Sequence, residues 1–110
     1  MLKELEELGC DIDGIQSRFM GDHELYEECF QDLVKSNQIE QLGELLASGD
    51  VQEAFVLTHS LKGTLGTLEL TPLVKIVIRI NESLRQDSMK GVQEEHEKLL
   101  KVWQIFKKLS

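Results

Sequence analysis

His59, Lys62, Gly63 and Gly66 are the residues whose types and spacing could do chemistry. If the surrounding segment is helical, steps of three and four place all of them on one face. An exposed imidazole can accept a phosphoryl group on a ring nitrogen or act as a base, and an ammonium one turn along can balance charge gathering there. A position without a side chain lets another molecule's backbone come close. Each interior Gly costs roughly 1 kcal/mol relative to Ala, so two within one turn are not there for the sake of the helix. A lone His is more often a solvated or a satisfied core residue, and it is these neighbours that turn the balance. The opposite side of the same segment carries Ala54, Thr58, Leu61, Leu65 and Leu68, a continuous apolar stripe that reads as a core face. Phe55 and Val56 fall on the outward side, one turn before His59. Either another helix covers them or they form an apolar docking patch beside the reactive centre.

The other candidates carry less. His23 opens a helix, where a cation is disfavoured by the dipole, and His96 falls in a core stripe with Trp103, so both are expected to be structural. Cys10 and Cys29 lack metal-ligand spacing and read as small apolar residues, with no disulfide expected. The carboxylates show no Glu-x-x-His repeat, so no di-metal bundle and no metal site is predicted. The run from Gly63 to Thr67 lacks the Gly-Lys-Ser/Thr ending of a P-loop, and no kinase motif set is present.

The elements that must position these residues are helical. The 110 residues are 41% apolar and 29% charged, with a single Pro, which suits one helical globular domain spanning 1–110. A net charge of -8 without a basic stripe excludes nucleic acid and disfavours anionic membranes. No apolar run approaches the roughly 20 residues of a membrane span, and the acidic start is unlike a signal peptide, so a cytoplasmic chain is expected. Residues 2–8 suit a short helix stopped by Gly9, and Asp11 or Asp13 can cap a second running to about Met20. From Asp22, the positions Leu25, Cys29, Leu33, Ile39, Leu42, Leu45 and Leu46 describe a long helix, weakened or kinked around Ser36-Asn37-Gln38 and ending at Ser48-Gly49. Asp50, with Glu53 three residues on, predicts a capping box for the helix of His59, which runs to about Leu70. Thr71 as cap and Pro72 as first helical residue open the next, with Leu73, Ile76, Val77, Ile80 and Leu84 as its buried stripe. After Gly91, the residues Val92, His96, Leu99, Trp103 and Phe106 repeat the pattern. The fold class is therefore all-α, an antiparallel up-down four-helix bundle with one or two short N-terminal helices.

In such a bundle the residue level with His59 on the preceding helix is near Gln38, and on the following helix near Asn81 or Glu82. Gln38 or Asn81 could hold one ring nitrogen and leave the other free to react. A solvated surface residue is the commoner explanation for either.

The run His59-Ser60-Leu61-Lys62-Gly63 resembles the signature around His-x-Leu-Lys-Gly of histidine phosphotransfer (HPt) domains of bacterial phosphorelays. Residues 11–26, the turn Gly49-Asp50 and Ala54 also look like the family's lead-in to its reactive His. Two positions depart from it: Leu68-Glu69 stands where many members have Leu-Gly, and Thr58 stands where a small residue often precedes the His. The resemblance implies a bundle that accepts and donates a phosphoryl group, to and from receiver-domain aspartates, without hydrolysing ATP. His59 would then be the acceptor, Lys62 its charge neighbour and Gly63 the close-approach site, with Gly66, Phe55 and Val56 around it. The implied partners are response-regulator receiver domains and, as a further partner, a hybrid histidine kinase. The chain would be a monomer with no cofactor of its own, and magnesium would come with the receiver. Two readings from other classes stay open: a helical adaptor binding a partner through Phe55 and Val56, and an enzyme using His59 as general base.

Overall fold

The computed structural model describes residues 1–110. Seven helices follow one another: α1 (Leu2–Glu7), α2 (Ile12–Arg18), α3 (His23–Ser36), α4 (Gln38–Ala47), α5 (Val51–Thr67), α6 (Thr71–Arg85) and α7 (Val92–Lys107). α5 packs between α4 and α6, and α7 closes the ring against α6 and α4. This is the all-α up-down bundle of the sequence analysis, with α3 and the two short helices α1 and α2 ahead of the ring. One apolar cluster draws on every helix, from Leu5 and Ile15 in α1 and α2 to Trp103 and Phe106 in α7. No helix is long and apolar enough to cross a membrane.

Helix starts follow local chemistry. The side chains of Asp11, Asp22 and Asp50 accept hydrogen bonds from the backbone N–H of Gly14, Leu25 and Glu53, at 3.0, 3.0 and 3.1 Å. These satisfy donors that the first turn leaves free, each contributing about 1 kcal/mol. The capping box at Asp50 is only half made. Gly49 takes a φ of 75°, and the Asp50 N–H is spent on the Leu45 carbonyl at 3.0 Å, so it is not free for the Glu53 side chain.

Three expectations are corrected. The predicted kink is a break, because Asn37 adopts a left-handed φ of 55° and separates α3 from α4. The core face of α3 is Tyr26, Phe30 and Leu33, while Leu25 is exposed and Cys29 half-buried. Sequence spacing alone allowed either face. The aromatic face wins because it buries more surface, sets Tyr26 edge-on to Phe19 at 5.0 Å, and gives the Tyr26 hydroxyl a buried acceptor, the Leu68 carbonyl at 2.7 Å. Finally, Leu70 is the N-cap of α6 and Thr71 lies inside the helix, with no side-chain cap. Leu70 is fully buried, and its N–H closes the end of α5 on the Leu65 carbonyl at 3.0 Å. That pattern puts Glu69, at φ 56°, in the left-handed position where Gly is usual.

The β-branched run Val74–Ile80 is helical, and Leu73, Ile76, Val77, Ile80 and Leu84 are all buried as expected. Between α4 and α7 the contact is closer than apolar packing alone would make it. His96 is buried against the backbone of α4, its Nε2 3.0 Å from the Ile39 carbonyl. The ring occupies the space that a side chain at position 43 would fill: a Cβ on Gly43 would stand 2.6 Å from its Cε1. Gly43→Ala is therefore expected to lower stability by about 1–2 kcal/mol, since overpacking outweighs the gain of roughly 1 kcal/mol in helix propensity. In a His96→Ala background the same substitution should become stabilising. Urea unfolding of the four proteins measures both signs.

Candidate functional site

α5 is buried on one side only. Ala54, Thr58, Leu61 and Leu65 are fully buried, and Leu68 nearly so at its end. His59, Ser60 and Gly63 on the other side are exposed, and Lys62 and Gly66 are half-buried. His59 stands in the middle of the helix, away from both ends. The partial charges of the helix ends fade within a turn, so they do not act on it. The only charged side chains of α5 besides the imidazole are Glu53 and Lys62.

Neither ring nitrogen of His59 makes a hydrogen bond within the protein, and Lys62 makes no ion pair, although six such pairs form elsewhere. Gly63 and Gly66 would each accept a Cβ without meeting any atom within 4 Å. Nothing inside the molecule therefore requires glycine at either position. Gly63 lines a shallow groove between α3 and α5, together with Cys29, Ser60, Thr64, Thr67 and Leu68. Val56 is 62% exposed, and Phe55 is half-buried with its ring against the core. With Leu84 and Arg85 of α6 they line a second groove, of about 500 Å³, at the other end of the exposed strip. The alternative that a bundle helix covers Val56 does not hold.

Neither residue expected to hold the imidazole does so. Asn81 is buried, and its Nδ2 donates to Thr58 Oγ1 at 3.0 Å, so it is spent inside the bundle and does not hold His59. Gln38 is half-buried, and its side-chain amide makes no hydrogen bond to the imidazole or to any other group. Thr58 Oγ1 also donates to the Phe55 carbonyl at 3.0 Å. The pair has a signature in the sequence: Thr58 and Asn81 are the polar members of two facing apolar stripes.

The remaining groups that could do chemistry stand apart from the exposed strip. His96 is the buried structural residue already described. His23 is exposed at the start of α3, beside Asp22, Glu24 and Glu27. Cys10 and Cys29 are free thiols, and burial pushes the Cys10 thiol up to about 11, which keeps it protonated and unreactive near neutral pH. No cluster of three His, Cys, Asp or Glu side chains is placed to hold a metal ion.

Among known proteins, the family model of the Hpt domain matches residues 24–105, which is α3 through most of α7. No curated protein and no solved structure is a significant match to the chain. A match over that share of the residues, on a bundle with an outward histidine, settles the family. The chain belongs to the Hpt domain family, whose members are phosphocarriers of two-component signalling that work with receiver domains and histidine kinases.

Proposed function

We propose that His59 is the phosphoryl acceptor of this domain, receiving the group from the aspartyl phosphate of a receiver domain and passing it on to another. The observation that carries this reading is the bare face of α5: an exposed imidazole with both nitrogens free, beside an unpaired ammonium and two glycines that no internal contact requires. His23 is also exposed, but the carboxylates around it repel a phosphoryl group.

In the transfer, the lone pair of a neutral ring nitrogen attacks phosphorus in line. The N–P bond forms as the acyl phosphate P–O bond breaks, and the aspartate leaves as a carboxylate. The receiver brings the magnesium ion, which neutralises charge on the phosphoryl oxygens. This chain contributes the nucleophile, its orientation and one positive charge. Gly63 and Gly66 let the receiver's backbone come close to the strip, and Phe55 and Val56 exclude water at its edge. The exposed Val56 would serve a non-transferring adaptor equally well, and labelling decides between them. The chain carries no ATP-binding motif, and we read it as a carrier without kinase activity of its own.

Labelling from a phosphorylated receiver should give an acid-labile, base-stable phosphoprotein. The label should vanish in His59→Gln and survive in His23→Gln and His96→Gln; label persisting in His59→Gln would end this reading. Gly63→Leu should block transfer while stability holds or rises, because position 63 is open inside the molecule and loses only the propensity cost of Gly. Chemical denaturation alongside the transfer assay checks both halves. Lys62→Ala separates charge from docking. An exposed ammonium is worth only about 0.5–1 kcal/mol to a bound phosphoryl group, but more where the receiver excludes water. Stopped-flow transfer across receiver concentrations should show a maximal rate lowered several-fold to a few tens-fold, with a smaller change in the half-saturating concentration.

A further inference from the structure

The Thr58–Asn81 hydrogen bond lies directly behind the exposed imidazole. Thr58 precedes His59 in the chain and points the opposite way, into the interface of α5 with α6. Thr58 is 0% exposed and Asn81 5%, with Ala54, Leu61, Val77, Ile80 and Leu84 buried around them. The direction of the bond is determined. Thr58 has one hydroxyl proton, which goes to the Phe55 carbonyl, so its oxygen can only accept from Asn81. It is the only side-chain hydrogen bond between α5 and α6.

Apolar stripes pack without strong directionality, and a Leu-rich interface tolerates small rotations of one helix against another before it loses much stability. A buried hydrogen bond does not, because misalignment leaves both polar groups unsatisfied in a low-dielectric interior. α5 has special need of such a constraint, since its side around His59, Ser60 and Gly63 is exposed and no helix covers it. A rotation of about 20° at a side-chain radius of about 5–6 Å displaces a side-chain tip by about 2 Å. In-line transfer requires reacting atoms about 3–3.5 Å apart and aligned, and an error of about 1 Å can cost about a hundredfold in rate.

We infer that Thr58 and Asn81 are positioning residues: their hydrogen bond pins the rotation of α5 about its own axis, and so sets where the His59 nitrogen stands when a receiver docks. This rests on His59 being the acceptor, and it names the internal contact that tunes it. Neither residue touches the transferred group.

The test replaces the polar pair by an apolar one, Thr58→Val with Asn81→Leu, and compares it with Thr58→Ser, which keeps the hydroxyl. Phosphate donors are receiver domains phosphorylated with acetyl phosphate and, separately, phosphoramidate, a small donor that needs no docked alignment. In the double variant the maximal rate from receivers should fall about tenfold or more. Its half-saturating receiver concentration and its labelling by phosphoramidate should stay near wild type. Thr58→Ser should transfer within about twofold of wild type. Residual dipolar couplings of the α5 amides should report a changed orientation, or exchange broadening at His59, in the double variant only. A double variant that transfers at the normal maximal rate, or a Thr58→Ser protein as slow as it, overturns the pin. If the double variant does not fold, Thr58→Ala against Thr58→Ser is judged by the same measures. If wild type takes phosphate from no receiver, the acceptor reading fails. The dipolar couplings then decide the pin alone: an unchanged α5 orientation in the double variant overturns it, and a changed one supports it.

Discussion

Burial of the Ala54, Thr58, Leu61 and Leu65 stripe is the interaction on which the remainder of the structure depends, because the opposite side of α5, around His59, Ser60 and Gly63, is exposed. A helix held from one side must take all its order from that side. Full burial of a Leu side chain contributes about 2 kcal/mol, and the stripe meets α4 and α6 together, so translation and tilt are well resisted. Rotation is resisted less by apolar contact. The single polar contact across the α5–α6 interface adds direction to an otherwise non-directional packing.

The two glycines on the exposed face are paid for by this arrangement. Gly63 and Gly66 together forgo roughly 2 kcal/mol of helix propensity relative to Ala, yet the helix runs through both without a break. Tertiary burial of the stripe outweighs a local preference that would fray an isolated peptide. A polar surface with no internal obligations is then left free for another molecule. In an acidic chain, α5 carries a single carboxylate, Glu53, in its first turn.

Elsewhere the bundle accepts local strain where tertiary contact offsets it. Glu69 takes the left-handed position at the end of α5 that Gly would fill more easily, and its carboxylate reaches the Arg18 guanidinium at 3.2 Å. That ion pair is partly exposed and modest in energy. The Tyr26 hydroxyl on the adjacent Leu68 carbonyl is buried, and it ties α3 to the same turn. The turn that follows α5 is thus held by α2 and α3. Across the bundle, Gly43 and His96 bring α4 and α7 together by backbone contact, and the Lys107–Glu40 pair at 3.0 Å closes the same seam.

Much of this was legible in the residues. Periods of three and four, with Asp11, Asp22 and Asp50 at helix starts and Gly9, Gly21 and Gly49 after helix ends, located most of the helix boundaries. The same periods placed His59 outward, because a helix carries its phase along its own sequence and needs no neighbour to define it. What the chain could not decide alone were choices between equivalent local solutions. The α3 stripe could have been Leu25 and Cys29 or Tyr26 and Phe30, and only the position of the Leu68 carbonyl and of the Phe19 and Trp103 rings favoured the second. Asn81 sat at the right height to reach His59, but height along a bundle says nothing about azimuth. The structure turned it inward onto Thr58, because an amide facing the core must find a partner there. Local sequence determined which side chains share a face, and the packing of one helix on another decided which of them meet.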